Sequence, residues 1–245
     1  MDKEPDSISA ETDKIELSEI LQRCSVEFAI NSEPLDLSKL IKALNEDSVQ
    51  WDSMDCNGWT IAHSAVATNT LPVDFDRWDI CNKNGTSVAH IAAYYDKLPN
   101  DFDQWGICDN VGDTVAHTAA SRNKLPYDFN LWELTDHDGW TVAHIAARFG
   151  HLPPNFNQWG LLSNKGILVG QTAAIYNTLP SDFDQWDLVD KNDLTIAHVA
   201  ASSKCLPKDF HLTHPDIWEM KDSKGASVKE VAIAGGYDDK SLKIQ

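Results

Sequence analysis

Leu-Pro recurs at Leu71, Leu98, Leu125, Leu152, Leu179 and Leu206, an unbroken step of 27 residues. Phenylalanine keeps the same step at Phe75, Phe102, Phe129, Phe156, Phe183 and Phe210. Tryptophan keeps it at Trp51, Trp78, Trp105, Trp132, Trp159 and Trp186. The consensus unit reads LPxDFxxWxLxDxxGxTxAHxAAxxxx, and in-phase self-similarity of this kind is the signature of a repeat array. The first unit, from about Leu44, lacks LPxDF but keeps Trp51, Gly58, Thr60 and His63. The last inserts HLTHP before Trp218 and resumes at Asp222, Gly225 and Ser227. Seven units result, atypical at both ends, as the capping of an array requires.

Each unit has a physical reading. TxAHxAA predicts a short helix with Thr or Ser as N-cap. Its paired alanines, such as Ala92-Ala93 and Ala146-Ala147, are small enough for neighbouring helices to approach closely. Leu-Pro ends that helix, since proline disfavours helical backbone before it. The Asp of PxDF is expected to cap a second, shorter turn that faces Phe and Trp into the core. DxxG predicts a tight turn. A single unit cannot bury its own apolar face, whereas stacked units can, so the expected class is a mainly α solenoid.

The stretch Asp136–Gly139–Thr141–His144–Ala146–Ala147–Gly150–His151 resembles the ankyrin repeat pattern DxxGxTPLHxAAxxGH. The resemblance covers roughly Leu44 to Gly236. Val-Ala or Ile-Ala replaces Pro-Leu, and the unit has 27 residues against the usual 33. LPxDFxxW stands where an ankyrin's second helix would be, so that helix is expected to be shortened, down to a 3₁₀-like turn. The resemblance implies a non-enzymatic, protein-binding scaffold.

The histidines of the repeat invite a chemical reading. One position holds His63, His90, His117, His144 and His198, then Gln171 and Glu230 in two units. It is the third helical residue, from which a side chain reaches back to the cap's free N–H. Ser227–Glu230 has the SxxE form of a capping box, and Gln is that motif's other member. His, Gln and Glu share acceptor capacity rather than a catalytic role. Equivalent positions of stacked helices lie about 8–10 Å apart, while zinc ligands lie about 2 Å from one ion. The ladder therefore cannot converge on a metal, and it reads as structural. Cys81 and Cys108 also share one position, so their spacing exceeds the roughly 4.4–6.8 Å a disulfide needs. The five cysteines, an odd number with no CxxC, read as free thiols of a reducing compartment. The tryptophan ladder reads as core, and no catalytic residue, cofactor or metal is expected.

The net charge of −18 argues against nucleic acid or an anionic membrane as partner. It favours a basic protein partner. Carboxylates two apart recur in DFD, at Asp74/Asp76, Asp101/Asp103 and Asp182/Asp184, with Asn155 and Asn157 in one unit. They read as a solvated acidic edge or as a docking strip for a basic partner. No apolar run approaches the roughly 20 residues that span a bilayer, and residues 1–14 do not read as a signal peptide, so a cytoplasmic monomer is expected, or a host cytosol for an exported effector. Residues 1–14 are expected to be a disordered acidic tail, 15–43 a helical N-terminal cap, 44–237 the array and 238–245 a C-terminal tail.

Function is expected at positions that vary between units and face outward. After the turn glycine come Trp59, Thr86, Asp113, Trp140, Ile167, Leu194 and Ala226. After the first helix come Thr68, Tyr95, Arg122, Phe149, Tyr176 and Ser203, flanked by Tyr94 and Arg148. Tyr, Trp and Arg are the types enriched in interface hot spots, and in ankyrins both sets border the concave face. The candidate partner-binding residues are Trp59, Tyr94, Tyr95, Arg122, Trp140, Arg148, Phe149 and Tyr176. Ordinary loop variation is the competing reading. GILVGQ, with Gly170, departs furthest from the consensus and reads as repeat decay or as a site of close backbone approach. An effector or adaptor and an acidic inhibitor are both compatible with the sequence; a nucleic-acid mimic or an enzyme has less support.

Overall fold

The computed structural model describes residues 49–55 and 57–237. The expected tail over 1–14, cap over 15–43, start of the first repeat over 44–48 and tail over 238–245 lie outside the described residues. The described residues fall into two compact units, one ending at Asn110 and the other beginning at Val111. The first holds α1 (Ile61–Thr68) and α2 (Val88–Tyr95), packed on each other. The second holds α3 (Val115–Ser121), α4 (Val142–Phe149), α5 (Val169–Tyr176), α6 (Ile196–Ser202), α7 (Phe210–Thr213), α8 (Pro215–Trp218) and α9 (Val228–Ala234). Within it α3 packs on α4, α4 on α5, α5 on α6 and α6 on α9, making a helical solenoid. Among the described residues there are no strands, only isolated antiparallel bridges such as Thr135 with Thr141.

Helices of seven or eight residues are marginal alone in water, so caps and packing must hold them. Thr60, Ser87, Thr114, Thr141, Thr195 and Ser227 each accept the N–H of the third helical residue on their side-chain oxygen. Helix ends turn out through left-handed residues, Asn69, Asp96, Gly150 and Asn177. The alanines behind them are fully enclosed: Ala92, Ala119, Ala146 and Ala173 are all 0% exposed. A larger side chain at any of these four would push helices apart.

The expected short second helix takes a different form. From Leu-Pro to Trp the chain makes two successive hydrogen-bonded turns, as in Phe156 N–H to Pro153 O (2.9 Å) and Leu161 N–H to Gln158 O (3.1 Å). Only the last repeat, with its HLTHP insertion, makes short helices here, α7 and α8. The carboxylate of PxDF does not cap as expected. Asp209 precedes α7 without a side-chain cap bond, and in the other repeats no helix is present to be capped.

These turns carry an aromatic zipper. In the second unit Phe129, Trp132, Phe156, Trp159, Phe183, Trp186 and Phe210 meet edge to face in sequence, with centroids 4.8–5.3 Å apart. In the first unit Trp51, Phe75, Trp78, Phe102 and Trp105 do the same. Each such pair contributes about 0.5–1.5 kcal/mol beyond its buried area. The tryptophans are therefore core, 3–8% exposed at Trp51, Trp78, Trp105, Trp132, Trp159 and Trp186.

Candidate functional site

The histidine ladder is a two-sided brace. Nδ1 of His90, His117 and His198 accepts the N–H of Ser87, Thr114 and Thr195, each at 3.3 Å. In His63 and His144 Nδ1 pairs with the cap hydroxyl, at 2.6 and 2.7 Å. With Nδ1 accepting, the proton sits on Nε2, which donates forward to the next repeat's turn. His63 reaches Thr86 O (2.9 Å), His117 Trp140 O (3.0 Å), His144 Ile167 O (2.9 Å) and His198 Ala226 O (3.1 Å). The forward bond is the half that sequence reasoning missed.

It explains the substitutions. Gln171 has an acceptor and a donor on one amide: Oε1 takes Leu168 N–H (3.0 Å) and Nε2 gives to Leu194 O (2.8 Å). Glu230 has acceptors only. It stands in the last helix of the described residues, where Oε2 takes Ser227 N–H (2.9 Å). Burial lowers the pKa of His63 and His144, an effect opposed by their bonds to Thr86 O and Ile167 O. Glu230 is held below the ordinary carboxylate value by the Ser227 N–H.

The turn preceding each helix is fixed by its first residue. Asp190 Oδ1 accepts the N–H of Asn192 and of Leu194 (2.8 and 3.1 Å), and Asp222 and Asn82 do the same in their turns. The N–H groups of Ala226 and Lys224 hold the Asp222 carboxyl low. Gly139, at φ +78°, lets Asn164 lie against it, and Asn164 N–H bonds Gly139 O at 2.9 Å. Gly170 serves close approach, here by a side chain: a Cβ there would lie 2.1 Å from Ile196 Cδ1.

No group of three or more metal-ligating side chains occurs among the described residues. Cys81, Cys108 and Cys205 are free thiols, and burial pushes Cys81 and Cys205 above the ordinary thiol range. Low thiolate content makes poor nucleophiles.

The candidate partner-binding residues fall into two kinds. Trp59 and Trp140 are half-buried, each against the edge of its own repeat's histidine at 5.5 Å. Lys165 lies over the Trp140 ring at 5.4 Å. Helix ends carry the exposed kind. In the first unit Tyr94 and Tyr95, edge to face at 5.1 Å, are 45% and 49% exposed. In the second, Arg122 is the exposed C-cap of α3, and Arg148-Phe149 and Ile175-Tyr176 end α4 and α5. The Arg148 guanidinium lies over the rings of both Phe149 (5.6 Å) and Tyr176 (5.2 Å), and Phe149 stacks on His151 at 6.0 Å. Ile175, absent from the sequence-based set, is 52% exposed beside Tyr176; its place at a helix end was the available signal. A small cleft opens beside this cluster, lined by Leu152, Pro153, Pro154, Trp159, Thr178 and Pro180. No helix among the described residues is long and apolar enough to cross a membrane.

No family model and no curated protein matches this sequence. A solved structure does: the crystal structure of the ankyrin repeat domain of Bcl-3, described as a unique member of the IkappaB protein family. It aligns at TM-score 0.55 and 18% identity, over 72% of this chain and 95% of that one. At that identity the likeness shows the fold alone, and the fold is ankyrin-like.

Proposed function

We infer that the protein is a non-enzymatic interaction scaffold, an array of about seven 27-residue ankyrin-like repeats that binds a partner protein through exposed helix ends. One observation carries this reading. The repeated letters are spent on caps, braces and the aromatic zipper, while the exposed helix ends vary and carry aromatics and arginine. In the second unit Arg148 gathers Phe149 and Tyr176 into one cluster. Tyr and Arg are among the residue types that dominate interface energy, and rigid helix termini present them with little ordering cost.

A second reading has its own support. The DFD carboxylates Asp74, Asp76, Asp101, Asp103, Asp182 and Asp184 are exposed, which suits an acidic inhibitor covering a basic enzyme or toxin. Such an inhibitor would bind through those carboxylates with steep salt dependence.

The test is capture of a partner from native lysate by the full chain, followed by affinity measurement with Tyr95, Arg122, Phe149 and Tyr176 all changed to Ala. Loss of binding in a variant that keeps its thermal unfolding transition supports the scaffold surface. Undiminished binding in that folded variant rejects it, and loss only when the DFD aspartates become Asn supports the inhibitor.

A further inference from the structure

From Gly139 to Ser181 the chain holds no Asp or Glu, although 38 of its 245 residues are acidic. The next longest such run is residues 56–73. Within the gap one repeat carries neutral residues where the next carries carboxylates. Asn155, Asn157 and Ser163 stand where the following repeat has Asp182, Asp184 and Asp190. The turn survives the change. Ser163 Oγ accepts Ile167 N–H at 3.1 Å, as Asp190 Oδ1 accepts Leu194 N–H at 3.1 Å. The hydrogen bond is kept and the charge is gone.

The charges that remain in this stretch, Arg148 and Lys165, are both positive and face no carboxylate within ion-pair distance among the described residues. Each lies over an aromatic ring instead. A guanidinium held over a ring keeps N–H donors with which it can take a carboxylate through two parallel bonds. Beside Arg148 stand Phe149 and Tyr176, with Ile175 next to Tyr176 in the chain, each about half exposed (49%, 47% and 52%). Beside them lies the Leu152–Pro180 cleft, lined mainly by apolar side chains with Thr178 among them. A locally cationic, apolar surface within an acidic protein complements a segment that is both acidic and apolar, and the surrounding negative charge disfavours its approach elsewhere.

We propose that this carboxylate-free surface of the second unit receives an acidic, apolar-flanked peptide segment of the partner protein, Arg148 pairing with a carboxylate while a neighbouring apolar side chain seats against Phe149, Tyr176 and the cleft. The proposal rests on the scaffold reading above and specifies its partner's chemistry.

The probe is a random 12-residue peptide library displayed on phage and selected on the full chain, with fluorescence anisotropy on the enriched peptides. Enrichment of Asp or Glu next to Leu, Ile or Phe is expected. Arg148→Glu should weaken such peptides by about tenfold or more, because it sets like charges together. Tyr176→Ala should weaken them at unchanged salt dependence, and both exposed-site variants should keep the wild-type unfolding transition. Basic enriched peptides, no enrichment, or acidic peptides indifferent to Arg148→Glu would each overturn the proposal. A synthetic peptide of residues 1–48, added in trans, tests this chain's own acidic segment as occupant. Its binding through Arg148, with no other acidic peptide bound, would overturn the partner assignment. Basic peptides that lose affinity in the Tyr95, Arg122, Phe149 and Tyr176 variant would leave the scaffold reading standing while this one fails.

Discussion

Ile196 Cδ1 fills the space that a side chain at residue 170 would need, so Gly170 and Ile196 form one fitted pair across the α5–α6 contact. Most repeats pair an alanine with a valine at these two positions, as Ala143 does with Val169. Here the methyl has moved from one helix to the other. The GILVGQ stretch is thus a compensated exchange: Leu168 supplies no cap hydroxyl, yet α5 forms over its full eight residues.

That pairing makes a double-mutant prediction. Gly170→Ala should destabilise by about 1–3 kcal/mol through overpacking, and Ile196→Val by about 0.5–1.5 kcal/mol through the lost methyl. Combined, they should be less harmful than their sum by at least about 1 kcal/mol. Urea unfolding midpoints of the four proteins measure the coupling; simple additivity would mean that the contact is relieved elsewhere.

His144→Ala removes both halves of a brace and leaves Ile167 O and the Thr141 hydroxyl short of a partner. A loss of about 2–4 kcal/mol is expected. His144→Gln should cost far less, because Gln171 already bonds the cap N–H and the forward carbonyl in the next repeat. Denaturant unfolding ranks the variants, and metal analysis of each should find none. Equal losses for Ala and Gln would show that the ring does something besides donate and accept.

Acid should weaken the fold through the same residues. Burial lowers the pKa of His63 and His144 from 6.5, so below pH 6.5 the unfolded chain binds more protons than the native one. Their contribution is complete above pH 6.5 and is lost as pH falls through that value toward their folded pKa. Denaturation midpoints between pH 7.5 and 5 should therefore decline with acidification. The His63→Gln/His144→Gln protein should show a shallower decline, and an identical one would assign the effect to other groups.

Much of this architecture was legible in the sequence because a repeat states its rules many times over. Thr, Ser and the His/Gln/Glu series marked the caps, and Phe and Trp marked the zipper. What stayed hidden depends on the neighbouring repeat. The forward bond from His144 to Ile167 O leaves no trace in side-chain types, because its acceptor is backbone. Asp209 looked like a cap because Asp is a favoured N-cap residue, but most of these segments form turns that have no helix to cap. Of the candidate surface, Tyr95, Phe149 and Tyr176 were legible as outward variable letters. The cation–π cluster of Arg148 needed the register between α4 and α5.

The central claim is that the histidines brace the fold and perform no chemistry, and side-chain ¹⁵N NMR at pH 7 reads it directly. The account predicts that His63 and His144 are neutral, with the proton on Nε2 and Nδ1 bare, and with Nε2 protons slow to exchange. Imidazolium signals, protonated Nδ1 or metal-shifted nitrogens at these residues would contradict it.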